Sequence, residues 1–517
     1  MTTEQLRVPL PRAVGRIELP SGVGTTLVAI AGAAALAWIA VSKPEWHRTA
    51  LAAVLALNLL VVAARWPRAA AVALLMLLPF VALLRRLLIE GSGWVENDPL
   101  LLVGPIVATF LVLRLFLFER RPIVSDTLSK LVLALGGVAL LQAFNPLGVG
   151  GVAAGLAGLI FLGVPLLFFF LGRELGDRLT MSFLVGAVVV TGVIVAVYGT
   201  WQTKFGSLLP WDLDWYEVAG YAALRVGGLD ELRPWSTFSS SSEYAAYLSV
   251  ALVFAWAALL HGRLRLMLAA PVLLFAGFFA GGRSVLVLLL LSGLIMLAAR
   301  RRSKVVGLLV VVVGIGATYG LAVSLGPAID RAAGIGGDAV AKRNVGGILN
   351  PLDPTQSTLL VHGEALGNGV AEGFTNPAGS GAGATNLAAE RVGDAVTIET
   401  DNDLADVFVS FGAIGGLLFF AIIVLAFRQV FSRYSRERDW LVLAVAGFMV
   451  VTLGFWLNGG HYAVAPLVWF AIGWASRRPA EAEETVEEEA PPRRLARRLR
   501  RYAGGQNGAA QGSLWSA

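Results

Sequence analysis

Long unbroken apolar runs dominate this chain. They lie at roughly 24–42, 49–64, 69–84, 99–118, 127–144, 150–172, 180–201, 243–260, 266–281, 284–299, 305–325, 403–427, 440–457 and 462–476. Most are near the ~20 residues an α-helix needs to cross a bilayer. Those at 69–84 and 266–281 are short enough for a tilted or re-entrant helix. Backbone groups in hydrocarbon must find internal partners, so only helices or a closed barrel can span. Strand-length alternation of apolar and polar positions is absent, and the pattern therefore predicts an all-α polytopic membrane protein of about 14 transmembrane helices (12–14). The first run has some likeness to a signal peptide, but with so many spans following it reads as a retained anchor.

Composition agrees. Hydrophobic residues make up 56% and charged residues 15% of the 517, with a mean hydropathy of +0.72. A soluble domain has no way to bury that much apolar surface. The absence of cysteine excludes disulfides and thiolate metal sites. The net charge of +6 comes from arginines at span boundaries, where they set topology, so no nucleic-acid partner is expected.

Those arginines orient the spans. With the N-terminus inside, carrying Arg7, Arg12 and Arg16, the inner boundaries carry Arg65 and Arg68; Arg120 and Arg121; Arg173 and Arg178; Arg263 and Arg265; Arg300, Arg301, Arg302 and Lys304; Arg428, Arg433, Arg436 and Arg438; and Arg477 and Arg478. Every second boundary is basic, as the positive-inside rule requires. Arg85 and Arg86 break the pattern, and a short interfacial helix is the expectation there.

The frame divides the chain into a cytoplasmic N-terminus (1–23), N-terminal spans (24–201), a first long outer loop (202–242), spans with an Arg283 turn (243–325), a second long outer loop (326–402), C-terminal spans (403–476) and a charged cytoplasmic tail (477–517). The tail runs from acid at Glu481–Glu489 to base at Arg493–Arg501 and reads as solvated and disordered, its basic half suited to anionic lipid. The first outer loop is rich in Trp and Tyr (Trp201, Trp211, Trp215, Tyr216, Tyr221), which fits an aromatic interface belt or a surface that stacks on sugar rings or headgroups. The second, about 75 residues and rich in glycine, is of a length usually functional or disordered.

Candidate chemistry collects at these outer boundaries. Arg283 stands between two apolar runs, where an arginine needs an anionic partner or a path to the headgroups; its planar fork suits phosphate oxygens. Arg233 opens the segment Arg233-Pro234-Trp235-Ser236-Thr237-Phe238-Ser239-Ser240-Ser241-Ser242-Glu243-Tyr244. The serines and Glu243 are explained by helix capping. Arg233 is not, because its charge opposes the positive helix N-terminus. Arginine, hydroxyls and helix N-terminus together form a plausible anion site. In the second loop lie His362, the glycine turn Asn376-Pro377-Ala378-Gly379-Ser380-Gly381-Ala382-Gly383, and Glu399-Thr400-Asp401-Asn402-Asp403, in which Asp401 and Asp403 suit capping as well as catalysis. His47, His261, His362 and His461 have no paired spacing, so no metal site is expected, and only acidic clusters are left to hold a hard cation. No Walker-type or dinucleotide fingerprint is present, so no nucleotide cofactor is expected either.

This order of pieces resembles the O-antigen polymerase and ligase family, membrane glycosyltransferases that use undecaprenyl-pyrophosphate-linked glycans. The resemblance covers mainly 225–427: the R-x-x-S-T-F start at Arg233, Gly282-Arg283-Ser284 before an apolar helix, the loop with Ser357, His362 and the Asn-Pro-x-Gly-x-Gly-x-Gly turn, and Asp401-Asn402-Asp403 before Val409–Gly416. It implies a GT-C-like fold and metal-independent, inverting transfer on the outer face of a bacterial inner membrane, without cofactors. The implied partners are a lipid-linked oligosaccharide donor, a glycan or lipid acceptor, and membrane lipids. It implies that Arg225, Arg233 and Arg283 hold the donor pyrophosphate, that His362 activates the acceptor hydroxyl, and that the loop glycines Gly379, Gly381 and Gly383 let the loop close over the glycan. Many members have a His-Asn pair where this chain has Asp401-Asn402-Asp403, so the base is His362, Asp401 or Asp403. A transporter or flippase for a lipid-linked or other anionic substrate is the rival class; it predicts charges near the bilayer midplane and broken helices.

Overall fold

The computed structural model describes residues 43–121, 126–205, 208–219, 232–280, 283–301, 303–336, 339–350, 352–353, 358–385, 398, 400, 402–457, 459 and 462–477. The described residues are helical, with no strand beyond one isolated bridge between Thr385 and Ile398. In chain order the main helices are α1 (His47–Arg65), α2 (Pro67–Leu87), α3 (Pro99–Phe118), α4 (Thr127–Ala143), α5 (Gly151–Leu175), α6 (Arg178–Lys204), α7 (Pro210–Ala219) and α8 (Ser241–Leu260). They continue with α9 (Leu264–Phe279), α10 (Arg283–Arg300), α11 (Lys304–Gly336), α12 (Ala339–Leu349), α13 (Leu359–Thr375), α14 (Asp403–Glu437), α15 (Trp440–Trp456) and α16 (Val464–Ala475).

Seven of these, α1, α2, α3, α5, α6, α8 and α14, are long and apolar enough to cross a membrane; α4, α9, α15, α16 and the apolar parts of α10 and α11 are shorter apolar helices. Each falls on a run read from the sequence. The run at 24–42 and the tail from 478 lie outside the described residues. The protein is a polytopic, membrane-embedded helical protein. Its centre is α8, of which 89% is buried, and α15, apolar on every side and buried along almost its whole length. A helix without a polar face belongs in such a core. Around this pair pack α10, α9 and α6, while α16 lies along α5, and α14 is wedged between α4, α13 and α15.

Close helix contacts use glycine. A methyl on Gly172 of α5 would run into the Phe470 carbonyl of α16, and one on Gly473 into the Phe169 carbonyl. Two small residues facing each other bring the backbones together, the usual means of holding helices where lipid competes for apolar contacts.

Ion pairs and carbonyl contacts between helix ends lie on two faces. On one, Arg173 pairs with Asp126 (2.7 Å), Arg178 with Asp439, Arg68 with Asp177 (3.8 Å), and Arg438 donates to the Ala299 carbonyl (2.7 Å). On the other, Arg48 pairs with Asp98, Arg86 with Asp212 (2.6 Å), Tyr462 donates to the Leu101 carbonyl (2.9 Å), and the Ala463 amide donates to Glu243 (2.6 Å). Each of these pairs joins ends that the alternation of charges assigns to the same side.

Two expectations change. Arg85 and Arg86 do lie on a short helical stretch, Val81–Leu87, set off from the first part of α2 by a 3-10 turn at Leu78–Phe80, but both arginines are buried rather than at an interface. They sit buried on the last turn of α2, each near a buried carboxylate: Arg85 is 3.4 Å from Asp98, and Arg86 pairs with Asp212. That pairing removes the conflict with the positive-inside pattern. Helix α11 runs to Gly336, past the boundary expected at 325, with Pro327 inside it. The two outer loops also carry helices: α7 in the first, α12 and α13 in the second.

Candidate functional site

The segment that follows Arg233 is held from all sides. Ser236 has a positive φ of 53°, rare for a residue with a side chain. Its backbone amide donates to Gln202 Oε1 (2.7 Å), its carbonyl accepts from the Arg86 guanidinium (2.5 Å), and its hydroxyl donates to the Val195 carbonyl (2.7 Å). Next to it, the Thr237 carbonyl accepts from the Leu83 amide at 3.1 Å. Behind the segment, Asp212 of α7 accepts from Arg86 (2.6 Å), Tyr198 (2.5 Å) and Gln202 (2.9 Å). The four residues Arg86, Asp212, Gln202 and Ser236 are all buried. A left-handed serine costs ~1–2 kcal/mol, and it persists only where its surroundings fix it.

Trp215 packs against Trp235 at a tilt of 52°, with ring centroids 5.4 Å apart, and Trp94 meets Trp215 edge-on at 6.5 Å. Arg85 lies over Trp94 and Arg86 over Trp215. Trp215 and Trp235 are therefore internal packing and do not form a sugar-stacking surface; Trp201 remains half exposed. Arg233 itself is half-buried, and its carbonyl accepts from the Ser241 hydroxyl at 3.3 Å, which ties it to the first turn of α8. Capping there follows the sequence reading, with Ser240 accepting from the Glu243 amide. Two buried polar atoms of the segment, Trp235 Nε1 and Thr237 Oγ1, have no hydrogen-bond partner.

Arg283 begins α10, on the same face as Arg233 in the charge frame. Helix α12 joins this end of the bundle: Asn344 donates to the Phe278 carbonyl at 2.5 Å. Arg225 and Asp401 lie outside the described residues.

His362 sits, half-buried, on the first turn of α13. Seven and eleven residues on, close to whole numbers of helical turns, Gly369 and Gly373 occupy the same face of α13 and pack against Ala405 and Phe408 of α14. The histidine thus lies on the side of α13 that faces α14, toward the N-terminal end of that helix. Asp403 is the first residue of α14. The cap is Asn402, whose side-chain oxygen accepts from the Leu404 and Ala405 amides, both at 3.1 Å. Asn402 is fully buried and its Nδ2 has no hydrogen-bond partner. Asp406, one turn in, accepts from Thr400.

The glycine turn packs into a break in α14. At Gly412 (φ 67°, ψ −173°) α14 is broken in two. The turn 376–385 fills the break: the Ser380 amide donates to the Val409 carbonyl (2.9 Å) and the Gly381 amide to the Ser410 carbonyl (3.2 Å). Its other side is bound to the outer end of α4 and the loop after it. There the Ala382 amide donates to the Gln142 carbonyl (3.1 Å), the Ser380 carbonyl accepts from Val149 (2.9 Å), and Asn145 donates to the Gly379 carbonyl (3.3 Å). Gly379 (φ 79°) and Gly381 (φ 95°) are left-handed, and a methyl on Gly383 would run into the Ala154 backbone. These glycines allow the turn to pack tightly against α4, α5 and the broken α14.

The structure brings His362 and Asp403 to one end of the α13–α14 pair. It places Arg233 in a cluster built from α2, α6, α7 and α8. The Arg86–Asp212–Gln202 lock was missed by sequence reasoning; the misplaced charges Arg85 and Arg86 were its one visible sign.

No family model matches the chain, and no curated protein or solved structure matches it either.

Proposed function

We propose that this protein is a glycosyltransferase of the O-antigen polymerase and ligase kind, a bundle of about fourteen spans working at the outer face of a bacterial inner membrane. It transfers or polymerises a glycan from an undecaprenyl-pyrophosphate donor. The observation that carries the reading is the strained, fully hydrogen-bonded Ser236, three residues after Arg233. Strain held this firmly is characteristic of sites whose geometry matters, and here it fixes the backbone beside an arginine at a helix N-terminus.

In this reading Arg233 and Arg283 hold the two phosphates. As the glycosidic carbon–oxygen bond breaks, negative charge grows on the departing pyrophosphate, and guanidinium groups fixed in advance stabilise it. The acceptor hydroxyl attacks the anomeric carbon from the opposite face, inverting it, and gives its proton to a base. His362 takes that role, with Asp403 at the adjacent helix end as the other candidate. The donor's glycosyl-phosphate bond supplies the driving force, so no nucleotide is consumed.

A broken span is also a feature of transporters, which bind substrate at the unwound backbone. The break at Gly412 favours that second reading only in part, because turn amides already occupy the Val409 and Ser410 carbonyls.

The test is transfer by purified protein from a synthetic undecaprenyl-pyrophosphate oligosaccharide, with Arg233→Ala, Arg283→Ala and His362→Ala alongside. Each arginine variant is expected to lose at least ~100-fold in turnover while still inserting normally. His362→Ala is expected to lose turnover more than donor affinity. Full activity in both arginine variants would refute the site. No product from wild type over a donor panel, with flux of labelled lipid-linked glycan in proteoliposomes, would favour the transporter.

A further inference from the structure

On the basic face, far from the candidate site, a cleft of ≈ 340 Å³ opens between the start of α4, the last turns of α14 and the end of α16. Its walls carry Arg428, Gln429, Ser432, Arg433 and Arg436 from α14 and Arg477 from beyond α16. Arg433 is committed to Glu437 (2.9 Å) and to the Trp474 carbonyl (2.9 Å). Arg436 donates only to the Ser432 hydroxyl, and neither it nor Arg428 has a carboxylate within ion-pair reach among the described residues. The single carboxylate lining the cleft, Asp126, is fully engaged by Arg173 (2.7 Å) and by the Ser129 amide and hydroxyl. Among the described residues the cleft therefore holds guanidinium charge, on Arg428 and Arg436, that no carboxylate lining it neutralises. Gln429 adds a buried side-chain oxygen with no hydrogen-bond partner.

Directly beyond Arg428 toward the bilayer, α14 presents Val424, Phe420, Leu417 and Ile414 as an exposed apolar strip. From Ile414 to Val424 the strip rises ~15 Å, about the hydrocarbon depth of one leaflet. Charge at the headgroup level, continuous with an apolar strip one leaflet deep, matches a phospholipid rather than a small ion.

We propose that this cleft is a binding site for an anionic phospholipid of the leaflet on the basic face. Arg428 and Arg436 hold its phosphate, Gln429 accepts from a headgroup hydroxyl, and one acyl chain lies along the strip from Val424 to Ile414. Basic recesses between spans on the cytoplasmic side are suited to such headgroups.

The experiment measures binding to the detergent-purified full chain by native mass spectrometry. The probes are short-chain phosphatidylglycerol, phosphatidylcholine of the same chain length, and inorganic phosphate. Phosphatidylglycerol is expected to bind at least tenfold more tightly than either other probe. The double variant Arg428→Gln/Arg436→Gln, which changes two exposed side chains, is expected to weaken it about 30-fold. Arg301→Gln, exposed on the same face and outside the cleft, is expected to leave binding unchanged. Equal binding of the two lipids, an unaffected double variant, or an equal loss in Arg301→Gln would each overturn the site. Phosphate binding as tightly as phosphatidylglycerol would replace the lipid with a free anion.

Discussion

Replacing Asp212 with alanine removes the acceptor on which three donors converge: Arg86 at 2.6 Å, Tyr198 at 2.5 Å and Gln202 at 2.9 Å. The arginine then stays buried, its side chain 1% exposed, with the Ser236 and Ala82 carbonyls and the Trp215 ring near its charge but no counter-ion. Breaking a buried ion pair from one side costs ~3–5 kcal/mol, mostly because the remaining charge has no water and no counter-ion. Removing both charges is different: Arg86→Met with Asp212→Ala trades the pair for apolar volume, and such exchanges are close to neutral. The double variant should therefore recover most of the loss, to within ~1–2 kcal/mol of wild type. Unfolding in mild detergent, followed by tryptophan fluorescence because Trp215 and Trp235 report on this region, measures all four corners of the cycle. Costs that simply add, or a single variant within ~1 kcal/mol of wild type, would show that the pair does not hold this face together. The double variant should still lose transfer activity, since Ser236 would keep Gln202 but lose its arginine.

Gly412→Ala forces a side chain into a left-handed position and against the Pro377 carbonyl; a loss of at least ~1–2 kcal/mol is expected in the same unfolding assay. Gly172→Ala pushes α5 from α16 and is expected to cost ~1–3 kcal/mol, read as a lower midpoint of thermal aggregation. Asp126 lies at the basic face, where burial would raise its pKa but the Ser129 amide and Arg173 more than offset this and hold it below its ordinary value near 3.8. Its contribution is complete above that ordinary value and disappears as pH falls through the lower folded one. The stability gap between wild type and Asp126→Asn should thus be flat from neutral pH down to about 5 and close below 4; a gap that widens on acidification would contradict the assignment.

The apolar helices were legible because bilayer thickness favours long apolar runs that loops do not share, and seven of them are long enough to cross. Capping by Ser240 was legible for a similar reason, since its chemistry is local. What escaped was long-range. Arg86 and Asp212 are 126 residues apart, and only their burial shows that the arginine belongs to a lock rather than to an interface. The glycines at 379–383 were visible, but their role was not. Glycine serves a hinge and a close contact equally well, and the partners that decide between them, Val409, Ser410 and Ala154, come from other helices. Asp403 illustrates the same limit on a small scale: Asn402, one residue earlier, is the cap.

The turn that fills the break in α14 bears on how the chain is made. Gln142 and Val149 emerge from the ribosome more than 200 residues before Ser380 and Ala382, their hydrogen-bond partners. Until then the outer mouth between α4 and α5 has no mate, and α5 likewise waits for α16. Biosynthesis must leave a half-assembled bundle standing in the membrane while some 300 further residues are translated. A translation arrest after α11 would leave that groove open, the sort of defect that insertion chaperones shield and membrane proteases detect.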